Sequence, residues 1–273
     1  MIDYFPKELD AQQNFGDYLA ELLKNLFIED LDAADDVYYL VGSYICDYYV
    51  ERARKLKKPD AKIHFWGCGW RGEPFKYLGD PDIDIAGIRG PLSREMLNLP
   101  ADTALGDPGL LMPLLIPKPE YRSGKVLLVP HFYEPELPEI MNNRAVIGFD
   151  DLMLPHIYRG VPQLEMLIRE IATADFVMAG AMHAAIIAQA YDVPFCFFKK
   201  EHLDVPFKWE DLAFSFGIRP YHFYTVEEGR AWYEAAAPHI KRPDMVKLLQ
   251  AAPTTVKPEY LAAAARLNKK EKA

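Results

Sequence analysis

ATADFVMAGAMHAAIIAQAYDVPFCFF, residues 172–198, decides the fold. DFVMAG (175–180) is a short apolar run ending in Gly, and VPFCFF (193–198) is a second apolar run. Both read as buried strands. Met182 to Tyr191, between them, reads as a helix of small apolar residues. Strands alternating with helices imply a parallel sheet covered on both faces. His183 stands alone in this apolar stretch. A lone histidine on an apolar helix reads first as packing. Gly180, Ala181, Ala184 and Ala185 leave space around it, however, and the mouth of a helix favours bound anions. There the same residue reads as a group for proton transfer.

The pattern extends outward. VYYLVG (37–42), KIHFWG (62–67), DIAGIRG (84–90), KVLLVP (125–130) and RAVIGF (144–149) are further strand candidates. Helices are expected from Asp17 to Phe27, Ser43 to Lys57 with Ser43 as cap, Val161 to Ala172 and Trp209 to Phe216. Two or three more follow in EEGRAWYEAAAPHIKRPDMVKLLQ and PEYLAAAARLNKK, one of which is placed to cross back onto the first half. The stretch MPLLIPKPEYRSGK (112–125), with three prolines and a Gly before a new strand, marks a boundary. It divides the chain into an α/β unit over 1–118 and another over 119–273. Two such units place a ligand cleft at the carboxyl ends of their strands.

The 273 residues suffice for two domains of ordinary size, and half of them are apolar. The net charge of −9 argues against a nucleic acid partner. MIDYFPKELD carries early acids and lacks the apolar core of a secretory signal. No apolar run reaches the length of a membrane span. Cys46, Cys68 and Cys196 have no metal-ligand spacing and read as free buried thiols. The histidines share no metal spacing either, so no protein-bound metal is expected. The basic LNKKEKA tail reads as a solvated helix end.

Polar groups gather where strands end or helices begin. QNFGDYL (13–19) offers Asn14, Gly16 and Asp17, with Asp17 as a possible cap. VGSYI (41–45) offers Ser43 at a helix mouth suited to an anion. In IRGPLSREML (88–97), Arg89 ends a strand and Pro91 opens a helix. An arginine there forks onto a carboxylate or phosphate of a ligand, or pairs internally with Asp84, Glu95 or Asp107. Asp107 in ALGDPGLLMP (104–113) reads as a cap. His131 follows the strand in LVPHF, held by Pro130.

Taken in order, NFGDYL, VGSYI, IRGPLSREML, ALGDPGLLMP, GKVLLVPH, ATADFVMAGAMHAAIIAQAYDVPFCFF and FKWEDLAFSFGI resemble the polysaccharide pyruvyl transferase family of bacterial exopolysaccharide synthesis. The resemblance covers about residues 12 to 218. It implies two Rossmann-like domains facing a cleft in a GT-B-like arrangement. It also implies transfer of the enolpyruvyl group of phosphoenolpyruvate (PEP) to a polysaccharide sugar or its lipid-linked precursor, forming a ketal. His183 corresponds to the family's catalytic histidine. The Arg/Ser-Leu-His-Gly setting of the family becomes Ala181-Met182-His183-Ala184 here, so donor binding is expected from Arg89, His131 and Lys208. Asn14, Asp17 and Ser43 are expected on the acceptor side. PEP is then a co-substrate, with no cofactor. The expected location is cytoplasmic, at the inner face of the membrane where the acceptor sits.

Two other readings remain open on the residues alone. A GT-B glycosyltransferase would need an acid for the nucleotide ribose, and Glu201 is the nearest candidate after the 193–198 strand. A non-catalytic glycan-binding relative would fit the alanines at 181 and 184.

Overall fold

The computed structural model describes residues 1–4 and 12–270. Most of MIDYFPKELD and the last three residues of the LNKKEKA tail therefore lie outside the described residues. Ten strands are described: β1 (Gln13–Asn14), β2 (Val37–Tyr39), β3 (Ile63–Cys68), β4 (Ile83–Ile88), β5 (Val126–Val129), β6 (Asp151–Leu152), β7 (His156–Ile157), β8 (Phe176–Ala179), β9 (Phe195–Phe198) and β10 (His222–Phe223). β2, β3 and β4 form one parallel sheet in that order. Ile2 extends it beside Tyr38, and Leu105 extends it beside Ile88. A second parallel sheet has the order β10-β9-β8-β5-β6. The chain leaves β5 for β6 on one side and returns to β8 on the other. A crevice for ligands opens at such a reversal, outside the carboxyl ends of the strands.

Side chains of the second sheet alternate between two cores, as the two-residue period of a strand requires. Leu127, Val129, Val177, Ala179, Phe195 and Phe197 join a large core that also contains Tyr39, Trp66 and Ile88 of the first sheet. Leu128, Phe176, Met178, Cys196 and Phe198 pack outward against Ile140, Phe149 and Val226. The strand and helix candidates of 172–198 are both present, with the helix at Met182–Ala190. That helix has almost no exposed face, which is why its composition is apolar all round.

The C-terminal helices return to the first sheet. The Trp66 indole N–H donates to the Leu248 carbonyl at 2.9 Å, and Phe27 bridges to Val256. All three cysteines are buried free thiols. None of the described helices is long and apolar enough to cross a membrane.

Three local expectations are corrected. RAVIGF is not a strand: Arg144–Ile147 is a helical turn closed by Gly148 at φ 91, and the strand comes later at β6. Ser43 caps no helix, because Gly42 turns the chain at φ 108 and the helix starts at Asp47. Asp17 is not a cap either. Asn14 takes that role, accepting the Gly16 N–H at 2.9 Å, and leaves Asp17 inside the first turn.

Candidate active site

The ends of β5 and β8 meet at the sheet reversal. The Val129 carbonyl accepts the N–H groups of Gly180 and Ala181 at 2.7 and 3.0 Å. A Cβ on residue 180 would stand 3.1 Å from the Pro130 backbone, so glycine permits this approach. The junction sets His131 and His183 on the same cleft of about 440 Å³. Ala181 precedes the Met182–Ala190 helix without any side-chain cap, so its amide end faces the cleft uncapped.

His183 is held from two sides. Its ring lies directly against Gly16, where a Cβ would come within 1.9 Å of Nδ1. Its Nε2 is 3.5 Å from Asp107 Oδ2, a charge contact longer than a well-formed hydrogen bond. Asp107 is fully buried and also accepts from Arg89 Nε at 2.8 Å and from the Gly109 N–H at 2.9 Å. Burial alone would raise its pKa. The charges of His183 and Arg89 outweigh burial and hold the carboxyl at about 2.

Opposite them, β1 pairs antiparallel with β7, and the Phe15 N–H donates to the Pro155 carbonyl at 3.0 Å. This pairing ties the first helical turn to the second half and carries Asn14 and Asp17 into the cleft. Burial raises the Asp17 pKa, against the opposing effects of His183, a Tyr44 hydrogen bond, Lys208 and Arg89. Ser43 lines the same wall, and its Oγ accepts from Arg89 Nη1 at 2.8 Å.

Lys208 opens the remaining wall. It is nearly buried and ion-paired with Asp204 one turn earlier. Burial lowers its pKa, and Asp204 opposes that shift. Asp204 also faces His131 Nε2 at 3.6 Å. Its carboxyl is held well below the usual range, first by His131 and, against burial, by Lys208. Val205, between Asp204 and the Pro206–Ser215 helix, adopts φ 44. For a β-branched residue that conformation costs on the order of 1–3 kcal/mol. The helix is anchored by Asp211, which accepts the Ser93 N–H at 3.0 Å and the Ser93 hydroxyl.

His183, His131, Lys208, Asn14, Asp17 and Ser43 thus share one cleft. Arg89 does not line it. The guanidinium is buried beneath the wall, linking Ser43 to Asp107, and its Nη2 has no hydrogen-bond partner among the described residues. Sequence reasoning passed over Asp204, Tyr44 and Arg71, which also border the cleft. Asp204 had a signal, an acid four residues before a lysine. Asp107 was legible as a cap and as a partner of Arg89, but its contact with His183 was not.

These features define an α/β protein of parallel sheets with two histidines, a buried lysine and several carboxylates, Asp17 and Asp204 among them, converging on one polar cleft. The model of the polysaccharide pyruvyl transferase family matches residues 2–199, and the chain belongs to that family. The match contains Arg89, His131 and His183 and stops short of Asp204 and Lys208. Among curated proteins, the chain is 28% identical over 163 residues to "Succinoglycan biosynthesis protein ExoV" of Rhizobium meliloti (strain 1021). That alignment covers 56% of this chain and 47% of the relative, so it spans about half of the relative's length. No solved structure matches.

Proposed function

We propose that this chain transfers pyruvate from PEP to a sugar of a polysaccharide or its lipid-linked precursor, as a ketal. The observation that carries the reading is the convergence of His183, His131 and Lys208 with Asn14, Asp17 and Ser43 on one cleft. Family membership supports the same reading. In this proposal the two sheets are the cores of a GT-B-like pair, with 1–118 on the acceptor side and 119–273 on the donor side.

PEP is polyanionic, and the uncapped helix end beside Lys208 and His131 suits its phosphate and carboxylate. Arg89 acts from beneath, fixing Ser43 and Asp107. A sugar hydroxyl oxygen bonds to C2 of PEP and gives its proton to a base, while the C2–C3 double bond opens and C3 takes up a proton. Phosphate then departs with its bridging oxygen, leaving an oxocarbenium-like carbon. A second hydroxyl adds there, its proton goes to a base, and the ketal closes. His183 supplies or removes the proton, and Asp107 stabilises its charged form, as a buried carboxylate does behind a catalytic imidazole. Asp17 faces the acceptor hydroxyls.

The test is His183→Ala in the full chain. The variant is expected to keep its circular dichroism spectrum and lose nearly all phosphate release from PEP in the presence of a glycan acceptor. Turnover near that of the unaltered chain would exclude His183 as the acid/base group.

A further inference from the structure

Four basic side chains line the cleft: Arg71, His131, His183 and Lys208. His131 and Lys208 both face Asp204, and His183 faces Asp107. Arg71 has no carboxylate partner among the described residues. It is half-buried at the rim, in the loop that follows β3.

The loop itself is firmly held. The Trp70 indole N–H donates to the Glu73 carbonyl at 2.7 Å, and its ring meets Phe207 edge-on at 5.1 Å. The Ile45 N–H donates to the Gly69 carbonyl at 3.2 Å. Gly72 turns at φ 82 directly over Phe207, where a side chain would be strained and crowded. A fixed backbone therefore presents an unneutralised guanidinium to the cleft.

The surroundings of Arg71 differ from those of the proposed donor groups. Arg71 acts on Cys46 and, together with the acceptor-side Asp17, on Tyr49, whereas Asp204 responds to His131 and Lys208. Tyr48 and Tyr49 line the same cleft edge-to-face with ring centroids 5.0 Å apart; Tyr49 packs against Tyr39 and Tyr44, and Tyr48 is 62% exposed. Aromatic faces with polar tips suit the apolar face of a pyranose. Glu73, also on this wall, offers a hydroxyl acceptor. A planar fork of N–H donors matches phosphate and carboxylate alike.

We infer that Arg71, with Tyr48 and Tyr49, forms a subsite for an anionic sugar, binding a phosphate or carboxylate carried by the acceptor. Calling that sugar the acceptor rests on the pyruvyl-transfer reading; the anion subsite itself does not.

The test titrates the full chain by ligand-observed NMR with glucose 1-phosphate, glucuronate and neutral methyl glucoside, and separately with PEP. At least one anionic sugar is expected to bind about ten-fold more tightly than methyl glucoside, the scale of one charge-assisted contact. Preference for the phosphate or for the carboxylate identifies the source of the anion. Arg71→Gln is expected to abolish the preference and leave PEP affinity unchanged. Equal binding of all three sugars, or an unaltered preference in Arg71→Gln, overturns the inference. So does a loss of PEP affinity in that variant, which would move Arg71 to the donor. Failure of the unaltered chain to bind PEP would count against the pyruvyl-transfer reading alone.

Discussion

Gly16→Ala probes how the cleft positions His183. The added Cβ would fall 1.9 Å from Nδ1 and 2.5 Å from Cγ of the imidazole. Ordinary carbon contacts lie near 3.5–4.0 Å, so the ring must retreat by more than about 1 Å. It cannot retreat freely, because Asp107 stands 3.5 Å beyond Nε2 and is itself fixed by Arg89 and Gly109. Overpacking of this kind costs about 1–3 kcal/mol of stability. A misplacement of about 1 Å at a proton-transferring group costs about 100-fold in rate. The variant is thus expected to fold, to melt a few degrees lower, and to release phosphate from PEP about 100-fold more slowly. KM for PEP should change little, since Lys208 and His131 are untouched. Release within about three-fold of the unaltered chain, in a folded variant, would refute the seating of His183 against Gly16.

Two further outcomes concern stability. Asp211→Ala removes both acceptors of Ser93 and leaves two buried donors without partners, at about 2–4 kcal/mol. Thermal melting should fall by roughly 5–10 °C, and an unchanged midpoint would mean that this contact between the Ser93 and Lys208 helices is unimportant. His222 is held at about 4, against an ordinary 6.5, by burial and then by the Lys199 charge. The unfolded chain takes up a proton near 6.5 and the folded chain only near 4, so stability is full above the first value and lost as pH falls towards the second. Urea midpoints of His222→Phe should decline less than those of the unaltered chain between pH 7 and 4. Parallel declines would contradict the assignment.

Much of the fold was legible because its strands are buried on both faces and read as short apolar runs closed by Gly or Pro. β3, β4, β5, β8 and β9 fall within a residue or two of their expected positions. RAVIGF misled because its apolar residues suit a strand, while Gly148 in the left-handed region closes a helical turn. β1, β7 and β10 have two residues each, too few to carry a period, yet the β1–β7 pair brings Gly16 to His183. His183, His131, Asn14, Asp17 and Ser43 were legible because they sit at strand ends or helix mouths, and Lys208 only through the family resemblance. The placement of Arg89 could not be settled that way. A strand-end arginine points outward to a ligand or inward to an acid, and only the packing of Asp107 and Ser43 around it decides. Arg71 gave no signal, since what distinguishes it is the lack of a carboxylate partner in space among the described residues.

The most direct measurement is calorimetric titration of the full chain with PEP, and separately with UDP and GDP. Saturable binding of PEP is expected, weakened at least ten-fold in Lys208→Ala, with no heat from either nucleotide. Binding of UDP or GDP without binding of PEP would contradict a PEP site and point to a nucleotide-sugar donor.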